Sequence, residues 1–300
     1  MSSSFKVVGI LGKTQDIQSV KILRQLIAFL QQQHQAVILE TRTAAALHDH
    51  TLPVFEKDEL GKHCQLLIVV GGDGTLLHAA HAIIQDEVPI LGVNRGRLGF
   101  LTDLNPDTLE ALQAILEGKY HIEKRFFLEA KVELQGSLIG SDVALNEVAL
   151  IPDALPHMTE FEIYVDDHFV CSQDSDGLII ATPTGSTAYA LSGGGPILHP
   201  ELNAVTLIPM FPHTLTMRPI VIAGDHRITI VITPNNTTSP RITCDSKTLI
   251  PTPPHARIHI CKKKEQLHLI HPLDYDYYES LRSKLYWGRK ISSRAENVYK

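Results

Sequence analysis

No uninterrupted apolar run in this 300-residue chain approaches the roughly 20 residues that a membrane-spanning helix requires. Met1-Ser2-Ser3-Ser4-Phe5-Lys6 also lacks the basic region and apolar core of a signal peptide, so the cytoplasm is the expected location and no membrane partner is expected. Cysteine is scarce. Cys64, Cys171, Cys244 and Cys261 lie far apart with no Cys-x-x-Cys pair, which argues against a disulfide framework or a zinc knuckle and leaves reduced, mostly packed thiols. Histidine is plentiful at 16 residues, yet no His-Glu-x-x-His pattern occurs. Even His78 and His81 have no evident third ligand, so these rings read as solvated or locally hydrogen-bonded. Excess positive charge is missing too: 33 acidic against 27 basic residues give a formal charge of −6. A nucleic-acid partner is therefore not expected, and a small molecule is. There is no internal repeat and no low-complexity segment.

What the chain does have is apolar content, 44% hydrophobic residues against 20% charged, in a length sufficient for two ordinary domains. Residues 6–11 form a short β-branched run closed by Gly12, and Val20, Leu23, Ile27 and Leu30 share one face of a helix expected over 17–33. Further strands are predicted at 36–39, 66–70 and 89–93, with a helix at 76–84. Strands alternating with helices imply a parallel sheet with right-handed crossovers, whose ligand crevice lies beyond the carboxyl ends of the strands. Asn105-Pro106-Asp107 reads as a helix start, with Leu109, Leu112 and Leu116 on one face and Gly118 as its stop.

The texture changes after that helix. Short alternating or β-branched runs at 128–134, 161–165, 227–232 and 257–260 are separated by turns such as Pro234-Asn235-Asn236 and Pro251-Thr252-Pro253-Pro254. Helical character returns at 275–287, where Tyr278, Leu281 and Leu285 form a stripe. The expected fold is an α/β N-terminal domain with a parallel sheet, a mainly antiparallel β-sandwich-like second domain, and a C-terminal helix returning to the first. The expected boundaries are 1–122, completed by 272–300, and 123–271.

Three stretches carry candidate chemistry. In Gly71-Gly72-Asp73-Gly74-Thr75, a buried strand runs into three glycines around one carboxylate and then into a helix. Glycine tolerates positive φ and lets a ligand approach the backbone, and the helix N-terminus offers N–H groups to phosphate. The pattern is neither the Walker A loop nor the dinucleotide fingerprint, and a turn capped by Asp73 is the plain structural alternative. The second stretch runs from Asp174 through Asp176-Gly177-Leu178-Ile179 and Thr182-Pro183-Thr184-Gly185-Ser186-Thr187-Ala188-Tyr189-Ala190-Leu191-Ser192, offering hydroxyl and backbone donors to ribose and phosphate oxygens. The third is Asn146-Glu147, two polar residues interrupting an apolar strand. Buried, they need partners from the fold or from a ligand, and a bulge or strand end explains them equally well.

Together these three motifs closely resemble the bacterial NAD kinases over nearly the whole chain. Gly92-Val93-Asn94 and Leu98-Gly99-Phe100-Leu101 look like the family's segment after the glycine turn. The Gly-Gly-Asp-Gly piece alone is shared with diacylglycerol and sphingosine kinases, whereas the other two motifs are more specific. The resemblance implies transfer of the γ-phosphoryl group of ATP to the 2′-hydroxyl of the adenosine ribose of NAD, giving NADP, with a divalent ion such as Mg²⁺. It implies Asp73 as catalytic base, Gly71, Gly72, Gly74, Thr75 and Asn94 around the phosphates and dinucleotide, and Asn146 and Glu147 on NAD. Asp176 with Thr187, Ala188, Tyr189, Ala190, Leu191 and Ser192 would complete the pocket, and the protein would be a homodimer or homotetramer. His157, Asp174 and Lys247 are carried over as binding residues although their types depart from the family pattern: basic residues are more usual at the first two positions and a neutral amide at the third. Two rivals share parts of this pattern, a lipid or sugar kinase on the same glycine turn and a non-catalytic NAD sensor.

Overall fold

In a computed structural model the described residues are 5–14, 17–48, 50–95, 99–102, 104–106, 109–153 and 158–287. The chain divides into two compact units, Met1–Glu123 with His268–Lys300, and Lys124–Leu267.

The first unit alternates strands and helices: β1 (Val7–Gly12), α1 (Ile17–Gln32), β2 (Ala36–Glu40), α2 (Thr41–Leu47), β3 (Val54–Phe55), α3 (Leu60–His63), β4 (Leu66–Val70), α4 (Asp73–Ala82), β5 (Ile90–Val93) and α5 (Leu109–Leu116). The strands form a parallel sheet in the order β5-β4-β1-β2-β3, with Gly9 opposite both Ile38 and Leu67. Every residue of β4 is fully buried, the continuous apolar run of a strand covered on both faces. Leu23, Leu26 and Leu30 of α1 and Leu112, Ile115 and Leu116 of α5 supply cover. Gly118, at φ +90°, ends α5 in the left-handed conformation that glycine adopts without penalty, and the Lys119 amide then closes onto the Ala114 carbonyl at 2.9 Å. Asp107, expected at the start of this helix, lies outside the described residues, as do Gly96, Arg97 and Leu98.

Three short elements of this unit escape sequence periodicity. Helix α2 follows β2 with no intervening loop because the Glu40 carboxylate accepts the Arg42 and Thr43 amides, a capping role usually taken by Ser, Thr, Asp or Asn. Strand β3 and helix α3 are too short to show a period. Helix α4 begins at Asp73, three residues before the expected start, so Asp73, Gly74 and Thr75 form its first turn and the extended Gly72 precedes it. The C-terminal helix α7 (Tyr277–Leu285) forms, but its buried stripe is narrower than expected: Leu281 is buried with Ser280, and Tyr278 is 57% exposed.

The second unit is a β-sandwich. Its strands are β6 (His121–Leu134), β7 (Ser137–Ala144), β8 (Glu147–Ile151), β9 (Thr159–Val165), β10 (His168–Ser175), β11 (Gly177–Ala181), β12 (Ala204–Met210), β13 (Ile220–Ala223), β14 (Ile228–Ile232), β15 (Arg241–Cys244), β16 (Ile250–Pro251) and β17 (Arg257–His271). One sheet runs β13-β12-β11-β8-β15-β16; in the other, β10, β9, β14 and β17 are consecutive and β6 pairs with β17 and β7. Alternate residues from both, among them Phe161, Ile163, Val148, Leu150, Leu178 and Ile180, interdigitate in one core, as sheet-on-sheet packing requires. The outer faces of β8, β11 and β12 are buried as well: Ala149, Ile179, Ala181 and Ile208 pack on Ala190 of the short helix α6 (Tyr189–Ser192). That second layer holds the Thr182 to Ser192 stretch against the sheet.

Candidate active site

In the first unit, the glycine turn occupies the carboxyl end of β4. Gly71, Gly72 and Gly74 are all outside the left-handed region, so positive φ is not what this turn needs. Space is. A Cβ at Gly71 would lie 2.5 Å from the Thr75 hydroxyl, whereas one at Gly72 or Gly74 would point into open space, leaving backbone exposed for a ligand. Asp73, in the first turn of α4, accepts the Phe100 and Leu101 amides at 3.0 Å each, and the Thr102 hydroxyl lies 3.5 Å away. Those donors are brought within reach because Gly92 leaves room for the Leu101–Thr102 backbone against β5. Asn94, buried at the end of β5, donates its amide to the Leu104 carbonyl at 2.9 Å. The Asp73 carboxylate is thus oriented by two amides, with Oδ1 also facing the Thr102 hydroxyl, while Oδ2, bonded to the Phe100 amide, keeps a lone pair for a further donor.

A cleft of about 580 Å³ opens beside this turn along the carboxyl ends of the strands. Gly72, Gly74 and Thr75 line it from β4 and α4, Lys13 from the end of β1, Arg42 from α2, Lys57 from the segment after β3, and Arg95 from the end of β5. The chain as a whole carries −6, so this gathering of cations is local.

In the second unit, Asn146 and Glu147 stand at the break between β7 and β8, held by a residue far away in sequence. The Asp245 carboxylate accepts the amides of Leu145 and Asn146 at 2.8 Å and of Glu147 at 3.1 Å. Glu147 is 5% exposed, and the Tyr189 amide donates to its carboxylate. Burial, and secondarily the Asp245 charge, push the Glu147 carboxyl up to about 7, against the Tyr189 hydrogen bond that lowers it. The 182–187 turn is locked onto the same break: the Thr182 amide donates to the Asn146 carbonyl at 2.9 Å, and a Cβ on Gly185 would collide with that carbonyl.

The hydroxyls of this turn serve the fold more than a ligand. Thr182 donates to the Leu145 carbonyl at 2.5 Å and accepts the Gly185 amide. Ser186 donates to the Pro183 carbonyl at 2.6 Å and accepts the Leu198 amide, and Thr184 accepts a hydrogen bond from the buried Arg125. Thr187 is half-buried, donating to the Thr184 carbonyl at 3.3 Å; Ala188 and Leu191 are half-buried and Ser192 is exposed. Tyr189 is 44% exposed, while Ala190 is buried in the packing beneath. Asn146, Glu147, Thr182, Gly185 and Tyr189 are therefore one cluster with Asp245. Asp174 is exposed near the end of β10 and Asp176 half-buried just before β11; the Asp174 carbonyl accepts the His213 amide and the Asp176 amide donates to the Met210 carbonyl. Lys247 is exposed beyond β15, its amide on the Cys244 carbonyl, and His157 lies outside the described residues.

Comparison with known proteins accounts for both halves of this geometry. Residues 8–120 match the ATP-NAD kinase N-terminal domain, and residues 145–272 match the ATP-NAD kinase C-terminal domain. The chain belongs to the ATP-NAD kinase family. An NAD kinase of Ectopseudomonas mendocina strain ymp is 50% identical over 288 residues, covering 96% of this chain and 98% of the relative. One of Pseudomonas syringae pv. syringae is 49% identical over the same share of this chain and 97% of its own. Among solved structures, yeast NADH kinase complexed with NADH superposes with a TM-score of 0.84 at 24% identity, over 95% of this chain and 89% of that one. An Archaeoglobus fulgidus NAD kinase in complex with ATP gives 0.70 at 22% identity, over 92% and 99%. Both share the fold.

For an ATP-NAD kinase, sequence reasoning passed over several residues. Asp245 carries no local signal, and its role depends on a contact spanning 98 to 100 residues. Arg125 carried no signal, since one basic residue in an apolar run has no period. Lys13, Arg42 and Lys57 are brought to one cleft by strand order and not by spacing.

Proposed function

We propose that this kinase transfers the γ-phosphoryl group of ATP to the 2′-hydroxyl of the adenosine ribose of NAD, releasing ADP and NADP. The reading is carried by the paired domain matches, with relatives close to 50% identical over 96% of the chain. In the reaction the ribose oxygen attacks the γ-phosphorus, the β–γ anhydride bond breaks toward ADP, and Asp73 takes the hydroxyl proton. A ribose hydroxyl is a weak nucleophile at neutral pH, and a positioned base contributes about 10²- to 10⁴-fold. What supports Asp73 is its place at the exposed glycine backbone, with a carboxylate oriented by the Phe100 and Leu101 amides. Gly71, Gly72, Gly74, Thr75 and Asn94 serve the phosphates and dinucleotide. Asn146, Glu147, Asp176 and residues 187–192 serve NAD, with Asp174, Lys247 and His157 as further contacts.

Among the described residues no three His, Cys, Asp or Glu side chains gather where they would hold a metal. A divalent ion such as Mg²⁺ belongs to the same reading, entering as part of the ATP substrate, where it offsets phosphate charge. A homodimer or homotetramer is supported by the exposed apolar side chains Phe211 (80%), Leu215 (90%) and Val221 (47%) at the edge strand β13 and the segment before it. A cytoplasmic location belongs to the same reading; among the described residues no helix is long and apolar enough to cross a membrane. Incubation of the purified chain with ATP, Mg²⁺ and either NAD or NADH, followed by an NADP(H)-specific dehydrogenase assay, tests the reading. NADP formation is expected; its absence at every donor concentration overturns it.

A further inference from the structure

We propose that Lys13, Arg42 and Lys57 hold the phosphate chain of the donor, an inference that rests on the kinase reading above. All three line the cleft beside the glycine turn, and among the described residues none is in an ion pair. Some cations elsewhere in the molecule pair with carboxylates, as Lys131 does with Glu129, Arg227 with Asp167 and Arg241 with Asp153. The carboxylate lining the cleft, Glu40, is turned to the Arg42 and Thr43 amides and the Thr43 hydroxyl. With Lys13, Arg42 and Lys57 set against Glu40 alone, these charged groups give the cleft a net positive charge where Gly72 and Gly74 leave backbone open. An anion of several charges is the ligand that such a surface recognises.

The topology orders the cations. From the glycine turn at the end of β4, the neighbouring strand ends are those of β1, β2 and β3, and these lead into Lys13, Arg42 and Lys57 in turn. At the usual interstrand spacing the run from β4 to β3 covers roughly 14 Å. With the transferred phosphoryl group at residues 72–75, Lys13 is placed nearest to it and Lys57 farthest along the donor. Lys13 then affects both turnover and donor binding, while Lys57 affects donor binding alone.

The test uses the full chain with Lys13→Gln, Arg42→Gln and Lys57→Gln, each checked for an unchanged circular dichroism spectrum and melting temperature. Each substitution is expected to raise KM for ATP by roughly 10- to 100-fold, the range for hydrogen bonds to charged groups, while KM for NAD stays within twofold. Inorganic tripolyphosphate, titrated calorimetrically in the absence of NAD, is expected to bind the unsubstituted protein, to compete with ATP, and to bind each variant correspondingly more weakly. Unchanged KM for ATP and unchanged tripolyphosphate affinity in all three variants overturn the assignment, as does an effect confined to KM for NAD. If the unsubstituted chain makes no NADP, the kinase reading fails separately, and tripolyphosphate titration still decides whether these three residues form a phosphate site.

Discussion

Replacing Glu147 with glutamine isolates the electrostatic cost of the cluster around Asn146. Glu147 is almost wholly buried on β8, with Oε2 lacking a hydrogen-bond partner and the Asp245 charge nearby. Its carboxyl is pushed from 4.5 up to about 7, chiefly by burial. The native protein therefore keeps this proton between those two pH values, where the unfolded chain has already released it. Native stability contributed by the group is fully present below pH 4.5, declines as pH rises through about 7, and is level above. At about 1.4 kcal/mol per pKa unit, the move from 4.5 to about 7 corresponds to about 3 kcal/mol. Glutamine has nearly the shape of the protonated acid and never ionises. Urea unfolding followed by far-ultraviolet circular dichroism should find the two proteins similar at about pH 5 and Glu147→Gln more stable by about 3 kcal/mol at about pH 8. The carboxylates whose pKa is lowered, such as Asp166 and Asp276, titrate below this window and cancel in the difference between the two proteins. A stability difference identical at both pH values would refute the reasoning, because a structural effect of the substitution has no reason to follow this titration.

Three other perturbations separate the roles of named residues. Asp73→Asn should lower kcat by about 10²- to 10⁴-fold with KM for NAD nearly unchanged; wild-type turnover would remove Asp73 from the base role. Asp245→Asn weakens the acceptor of three consecutive amides and should cost about 1.5–3 kcal/mol in denaturant unfolding, with KM for NAD raised more than kcat is lowered. Gly185→Ala drives a methyl group into the Asn146 carbonyl; about 1–3 kcal/mol of lost stability and a raised KM for NAD are expected, checked by unfolding and steady-state kinetics, and unchanged values would show that the backbone there can yield.

Much of the architecture was legible because burial leaves a periodic trace. Strand β4 runs over the five apolar residues that announced it, α1 ends one residue before its expected limit, and Gly118 stops α5 through a left-handed backbone that glycine favours. In the second unit the alternation of Phe161 with Ile163 and of Ile228 with Ile230 already separates the core face from the solvent face. Shorter elements such as β3 and α3 do not last long enough to show a period. Motif reading found Asn146 and Glu147 but not Asp245, because a carboxylate binding backbone amides across a sandwich leaves no pattern in either segment.

Sequence by itself determined which backbone could be approached: Gly72 and Gly74 carry no side chain, whatever surrounds them, and Asp73 stands between them with a carboxylate. Tertiary structure decided the rest. It turned Asp73 toward the Phe100 and Leu101 amides, committed the Thr182 and Ser186 hydroxyls to the fold, and raised the Glu147 carboxyl toward neutral pH by withdrawing it from water. It also brought Lys13, Arg42 and Lys57 into one cleft, since parallel strand order joins chain ends that no local spacing connects.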